Sequence, residues 1–337
     1  MQDIWQKLKN SNRPIVLYGM GNGAEIMVKT LEKHGISVSG FFASDDFVRG
    51  QFFMGHKVMT FREVKEKFPE MIALVSFGTQ RHEVIDNILS LDCPVYAPEV
   101  PVVGEEVFDL AFAQRHKKEI EQVYSLLADD FSKKVFEEII NYKLDGEISH
   151  LINAETTEEE MMSLFNFNKN ETVLDLGAYN GDTVLKVTSL LGEWKKVYAL
   201  EPDEKNFKKL IKNTEHLQDI VYINKAVSDK CESILFKSAG GRNSRVGEGK
   251  EILATSIDAL NESFTFIKID VEGQEAAAIQ GAVNMLNQRP KMLVSAYHRS
   301  EDIFRIPLLV HSINPEYKIY LRHLKYIPAW DTNYCFI

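Results

Sequence analysis

Hydrophobic positions along the chain fall into two stretches of short apolar runs, separated by a longer stretch with helical periodicity. In the first stretch, apolar runs at 15–18, 38–42, 72–77 and 95–96 alternate with segments such as Ile26, Met27 and Leu31. Runs this short and this uniformly apolar suit strands covered on both faces of a parallel sheet. A further turn and strand is expected around Gly55-His56-Lys57-Val58, with His56 at the surface. From Gly104 to Phe165 the glycine and strand signals vanish. Apolar residues there recur at helical spacing, as in Val107, Leu110 and Ala111, then Ile120, Val123, Leu126 and Leu127, then Val135, Phe136, Ile139 and Ile140. That pattern predicts two or three helices, and Thr157 with Glu160 makes a capping box before Met161, Met162 and Leu164.

The alternation resumes near Asn170. Strands are predicted at 172–176, 197–200, 221–224, 264–269, 292–296, 317–321 and 334–337, with a hairpin strand at 233–236. Helices are predicted at 182–191, 204–213 and 301–313. The expected fold is α/β: an open, mostly parallel, seven-stranded Rossmann-like sheet with one antiparallel strand over residues 169–337. A smaller Rossmann-like α/β domain over residues 1–103 precedes it, and residues 104–168 form a helical connector. A length of 337 residues fits two domains of this kind.

Composition narrows the function classes only a little. Hydrophobic content of 45% with 26% charged residues is ordinary for a globular chain. A net charge of -10 argues against a sequence-independent nucleic-acid surface, which needs clustered Lys and Arg. Cys93, Cys231 and Cys335 are scattered without metal-like spacing and read as reduced thiols. The opening segment lacks the apolar core of a signal peptide, and no run reaches the length of a membrane span. The expected location is the cytoplasm.

Two glycine turns carry candidate chemistry. Gly19-Met20-Gly21-Asn22-Gly23-Ala24 follows an apolar strand and opens a helix, with Asp45-Asp46 roughly 20 positions on, so it fits the dinucleotide fingerprint. A nucleotide, nucleotide-sugar or NAD site is one reading; a tight strand-to-helix turn that needs glycine is the other. Ser76-Phe77-Gly78-Thr79 lies at another strand end on the same edge. The second turn is Thr172-Val-Leu-Asp-Leu-Gly-Ala-Tyr-Asn-Gly-Asp182, where the strand carries an acidic residue, Asp175, before Gly177 and Gly181. A carboxylate there disfavours pyrophosphate and favours a ligand bearing an amino group or a sulfonium cation. One βα unit on, Glu201-Pro202 offers a strand-end carboxylate suited to two ribose hydroxyls. Later strand ends present Asp270, Glu272, His298, Arg322 and His323, and the loop 238–247 has the glycine-rich, polar composition of a ligand-facing connection.

Several pieces occur in a telling order: Val-Leu-Asp-Leu-Gly-Ala-Tyr-Asn-Gly-Asp-Thr (173–183), Ala-Leu-Glu-Pro-Asp (199–203), Ala-Val-Ser-Asp (226–229), Ile-Lys-Ile-Asp-Val-Glu-Gly-Gln-Glu (267–275), Tyr-His (297–298) and Tyr-Leu-Arg-His (320–323). With these motifs, residues of about 165–337 resemble the FkbM-type family of S-adenosylmethionine-dependent methyltransferases. The resemblance implies O-methylation of a hydroxyl, often on a sugar or polyketide, with S-adenosylmethionine as cofactor. Carried onto this chain, it implies that Asp175 and Gly177 meet the methionine end of the cofactor, Glu201 the ribose, and Ser228 or Asp229 the adenine. Ala178, Tyr179, Gly181, Asp182, Thr183, Pro202, Ala226 and Asp270 complete the expected cofactor-binding set. Asp270 and His298 are candidate bases, His298 being preferred for the ordinary imidazole pKa, and Arg322 and His323 are expected to orient an acidic or sugar-phosphate acceptor. A cation on Asp270 and Glu272 is less favoured than Glu272 capping the next helix, so no metal is expected.

The N-terminal part resembles the small Rossmann-like domain that opens some sugar acyltransferases and other nucleotide-sugar enzymes. That likeness implies that Gly19, Gly21 and Gly23 let the backbone approach a nucleotide-sugar that presents the acceptor. A structural remnant or a dimerisation surface is the equal alternative for this domain, and the expected function is methylation of a hydroxyl on a sugar or glycan precursor. The partner is a small-molecule or glycan acceptor, not nucleic acid, and a homo-oligomer is compatible with it. The rival readings are an NAD-dependent oxidoreductase using the first glycine loop and a catalytically silent nucleotide-sugar binding protein.

Overall fold

The computed structural model describes residues 2–237, 245–246 and 249–337. Its first strands are β1 (Ile15–Tyr18), β2 (Gly40–Phe42), β3 (Phe52–Phe53), β4 (His56–Met59), β5 (Ile72–Val75) and β6 (Val95–Tyr96). They form one sheet in the order β3-β4-β2-β1-β5-β6, parallel throughout except for the β3–β4 hairpin. Every residue of β1 and β5 is buried, as their unbroken apolar runs require in a sheet covered on both faces. The hairpin is the extra turn and strand expected around Gly55.

The remaining strands are β7 (Thr172–Leu176), β8 (Lys196–Leu200), β9 (Ile220–Ile223), β10 (Ala226–Val227), β11 (Glu232–Lys237), β12 (Arg245–Val246), β13 (Lys250–Thr255), β14 (Phe266–Ile269), β15 (Lys291–Ser295), β16 (Ile319–His323) and β17 (Thr332–Phe336). Seven of them make the second large sheet, ordered β16-β17-β15-β14-β7-β8-β9. Only β17 runs antiparallel, pairing with β15 on one side and β16 on the other. The strand order reverses between β7 and β14, which pair directly from Val173–Phe266 to Leu176–Ile269. A crevice outside the carboxyl ends of those two strands is the usual ligand position in an open sheet.

Two features differ from the pattern-based expectation. The hairpin strand near 233–236 belongs to a separate small sheet, β10-β13-β11-β12, and its antiparallel partner β13 was not anticipated. β13 is exposed at its start and buried only at Ala254 and Thr255, so it lacks the apolar run that marks the covered strands. The connector holds five helices rather than two or three: Leu110–Arg115, Lys117–Leu126, Asp130–Asp145, Ile148–Ala154 and Glu158–Ser163. Its long periodic stretch is cut where the backbone pairs with strands or turns left-handed. Leu127 bridges Ile319, Gly146 closes a helix at φ 68°, and Glu155 bridges His323. The Thr157–Glu160 capping box forms as expected. The loop over 238–247 lies, apart from 245–246, outside the described residues.

One contiguous apolar cluster runs through both large sheets. It includes Val16 and Tyr18 from β1, Val135 and Tyr142 from the connector, and Leu174 and Ile267 from the second sheet. Tyr142 also donates to the Ala97 carbonyl at 2.6 Å. The connector is therefore packed between the sheets, and loops of the first half reach the edge of the second.

Candidate active site

The carboxyl ends of β7, β8, β14 and β15 open onto a cavity of about 520 Å³. Gly177, at φ +77°, is the hinge of its floor. A Cβ on Gly177 would collide with the Asp270 carbonyl oxygen, so only glycine lets the ends of β7 and β14 abut here. Tyr179, Asp182 and Thr183 from the following turn line one wall, with Glu201, Pro202 and Ala226 next to them. Glu201 is buried, its Oε2 accepting from the Tyr179 N–H at 2.9 Å and its Oε1 from the Asp203 N–H at 2.9 Å. Burial pushes its pKa up to about 7 against those two hydrogen bonds.

Beneath the floor lies a charge cluster that sequence reasoning missed. Lys268, on β14, sits 3.3 Å from Asp175 Oδ1 and 3.7 Å from Asp270 Oδ2, and donates to the Gly177 carbonyl at 3.1 Å. Burial alone would lower the Lys268 pKa; Asp175 and Asp270 outweigh it and raise it. Burial raises Asp175 despite this partner, whereas Asp270 is held below the usual carboxylate range by Lys268 and then His298 against its own burial. Asp175 is not part of the cavity lining; it braces the floor through Lys268. The signal was present in the sequence, since Lys268 interrupts an apolar strand that is buried along its whole length.

At the opposite end His298 is 1% exposed and ringed by carboxylates. Its Nδ1 lies 3.0 Å from Glu275 Oε1, and its Nε2 lies 3.5 Å from Asp270 Oδ1 and 3.6 Å from Glu272 Oε2. Burial alone would lower its pKa, but Glu275, Asp270 and Glu272 together push it up to about 10. The ground for preferring it as a base, an ordinary imidazole pKa, does not survive these surroundings. Glu272, at φ 52°, lines the cavity, and burial lifts its pKa to about 7. The helix that follows has Gln274 at its N-cap and no side-chain cap, so the capping expected of Glu272 is not made. Glu275 in its first turn instead ties back the preceding turn, its Oε1 accepting from the Val271 N–H at 2.8 Å and the Gly273 N–H at 3.4 Å. Tyr297 donates to Asp270 Oδ1 at 3.2 Å.

Other expected residues stand elsewhere. Arg322 points away from the cavity into the connector, bonding Asp129 Oδ2 at 2.6 Å and the Ser132 hydroxyl at 2.7 Å. His323 is fully buried with Nδ1 2.9 Å from the Thr332 hydroxyl, and burial drives its pKa down to about 3. Neither can orient an acceptor from there, because alternation along β16 sets their side chains into the core and against the Asp130–Asp145 helix. Ser228 and Asp229 bond each other at 3.1 Å and lie outside the cavity lining, as do Ala178 and Gly181. Gly181 instead supplies the left-handed N-cap, at φ 89°, of the Asp182–Leu191 helix.

The first half contributes to the same cavity. Thr79 and Ile327 exchange backbone hydrogen bonds at 2.8 and 3.0 Å, which sets Gln80 against Tyr326 and Trp330 on its rim. Val103 donates its N–H to the His298 carbonyl at 2.9 Å, and Val102 lines the wall. The first glycine turn is spent on the chain itself. A Cβ on Gly19 would crowd Phe77, and one on Gly23 would collide with the Ser76 carbonyl oxygen; only Gly21 faces open space.

The sequence of the second half matches one known family over the segment that builds this cavity, by its description the methyltransferase FkbM domain. The match spans residues 175–328. The whole chain is also similar in fold to a crystal structure of methyltransferase FkbM from Methylobacillus flagellatus KT. The two share 22% identity with a TM-score of 0.75, over 96% of this chain and 90% of that one. More distant likenesses, each over 54% of this chain, include a putative rRNA methylase from Clostridium thermocellum (12% identity, 94% of that chain, TM-score 0.37). Another is a putative methyltransferase from Streptococcus mutans in complex with SAH (13% identity, 97% of that chain, TM-score 0.37). No curated protein matches the chain. The matched segment thus begins on the strand of the second glycine turn and ends in the loop that carries Tyr326.

Proposed function

We propose that the FkbM domain moves a methyl group from S-adenosylmethionine to a hydroxyl, with a sugar or glycan precursor as the acceptor class. The observation that carries this reading is a single cavity with a buried strand-end carboxylate, Glu201, at one end and the Asp270–Glu272–His298 group at the other. The residues fit the cofactor. Gly177 lets the ends of β7 and β14 abut beneath the cavity, Glu201 lines it at the strand end suited to two ribose hydroxyls, and Asp182 starts the helix that follows the turn. S-adenosylmethionine would supply an electrophilic methyl group on its sulfonium. The chain's own task is alignment: Tyr326, Trp330 and Gln80 enclose the acceptor side, where the flat faces of the aromatic rings suit the C–H faces of a sugar. With both nitrogens of His298 turned to carboxylates, the cavity-facing oxygens of Asp270 and Glu272 are the groups that can take a hydroxyl proton.

Calorimetry with S-adenosylhomocysteine tests the reading directly. Binding in the micromolar range, weakened by Glu201→Ala, is the expected result, together with methyl transfer from labelled cofactor to a glycan precursor fraction. A folded protein that gives no heat with S-adenosylhomocysteine would remove the proposal.

A further inference from the structure

We infer that Asp270, Glu275 and His298 hold a divalent cation at the acceptor end of the cavity. Each offers one ligand atom, and those atoms lie within 4.8 Å of one another. Ligand atoms about 2.1 to 2.4 Å from one ion stand roughly 3 to 4.5 Å apart, so the group needs to contract by only a few tenths of an ångström. The three come from different places in the fold: the end of β14, the first turn of the Glu275–Gln280 helix, and the end of β15. None of this spacing can be read along the chain, which is why Asp270 and Glu272 alone made a poor metal site in the sequence.

A cluster of carboxylates is not in itself a site, and a second observation distinguishes this one. Glu275 and His298 are each 1% exposed, yet among the described residues Glu275 Oε2 has no hydrogen-bond partner, and His298 Nδ1 meets only the other Glu275 oxygen, at 3.0 Å. A buried carboxylate oxygen without a donor is costly unless something positive meets it. The positive charge at hand is short. Lys268 is shared among Asp175, the Gly177 carbonyl and, at 3.7 Å, Asp270, so among the described residues the His298 imidazole is the cation left within 4 Å of Glu272 and Glu275. An ion bound here would find Glu272 Oε2, 3.6 Å from His298 Nε2, as a further oxygen on the cavity side.

One nitrogen with carboxylate oxygens suits Mn²⁺ or Mg²⁺ and tolerates other first-row ions. Hard cations take about six ligands, so positions beyond those of the chain fall to oxygens in the cavity. The acceptor class this favours carries two neighbouring oxygens, as vicinal hydroxyls of a sugar do. That role rests on the methyltransferase reading above; binding of the ion does not.

Mn²⁺ is the probe, added to the full-length chain and followed by loss of the free-ion paramagnetic resonance signal. Calorimetry with S-adenosylhomocysteine is run on the same samples. One Mn²⁺ per chain is expected, bound at least about tenfold more weakly by His298→Gln and Glu275→Gln and unchanged by the surface variant Glu316→Gln. Should either buried variant lose its fold by circular dichroism, Asp270→Asn, whose side chain is 32% exposed and lines the cavity, carries the test instead. A wild-type protein that binds S-adenosylhomocysteine but no Mn²⁺ at millimolar concentration overturns the cation and leaves the methyltransferase reading intact. Mn²⁺ bound equally by wild type and the site variants overturns the assignment to these residues. Mn²⁺ bound at this site without S-adenosylhomocysteine binding supports the ion and counts against the cofactor.

Discussion

Glu201 makes cofactor binding depend on pH in a direction that can be worked out in advance. Burial lifts its pKa from 4.5 to about 7, so near neutrality the free protein carries this carboxyl partly protonated. Ribose hydroxyls donate to a carboxylate and not to the protonated oxygen, so binding selects the ionised form. At pH 6 about a tenth of the free protein is ionised and at pH 8 about nine-tenths, so the affinity should rise roughly tenfold between them. Calorimetry at pH 6 in two buffers of different ionisation enthalpy should show close to one proton released per ligand, falling to about a tenth at pH 8. Glu201→Gln should bind more weakly at every pH, by about ten- to a hundredfold at pH 8, and remove most of the slope. Stability moves the other way. Because the folded pKa lies above the unfolded value of 4.5, the protonated fold is favoured, fully so below about pH 4.5, and the advantage is lost as pH rises through about 7. The full swing is on the order of 3 kcal/mol, and binding of S-adenosylhomocysteine should offset part of it. Equal affinity at pH 6 and pH 8 with no proton released would refute this account of Glu201.

Four further substitutions test the floor and the connector, one of them a control at a glycine with open space around it. Gly177→Ala should abolish S-adenosylhomocysteine binding and lower stability by about 2 to 4 kcal/mol in denaturant melts, since its Cβ meets the Asp270 carbonyl. Gly192→Ala, at φ +68° with no heavy atom within 4 Å, should cost only about 1 kcal/mol and leave binding intact. Lys268→Met leaves Asp175 buried without a counter-charge and should cost about 3 to 5 kcal/mol, with much of it recovered in the Lys268→Met/Asp175→Asn pair; additive losses in the double-mutant cycle would argue against the coupling. Arg322→Ala should lower stability by about 2 to 4 kcal/mol through loss of the Asp129 and Ser132 contacts, read in denaturant melts, while S-adenosylhomocysteine affinity under native conditions stays within about twofold; a large loss of affinity would return Arg322 to the site.

Strand ends were legible because the elements that make them are local. The apolar run before Gly177, the acidic residue after β8 and the capping box at Thr157 each follow from neighbouring residues. Which way a strand-end side chain points was not legible in the same way. Arg322 and His323 sit at the end of β16 just as His298 sits beyond β15, yet β16 is an outer strand flanked by the connector, so its charges are consumed there. β13 was missed because a half-exposed hairpin strand carries no continuous apolar run. Glu275 stood inside a quoted motif with no role, since its partner His298 is brought by a parallel strand more than twenty residues on.

By itself, then, the sequence determined the alternation of strands and helices, the place of both glycine turns and the acidic residues that close β7 and β8. These depend on side-chain periodicity and on backbone freedom at single positions, which act over a few residues. Only the tertiary structure decided that Lys268 pairs beneath the floor, that three carboxylates converge on His298, and that Gln80, Val102 and Trp330 wall the same cavity. Charge interactions of that kind are set by distance and burial across strands, and neither exists until the two sheets and the connector have packed together.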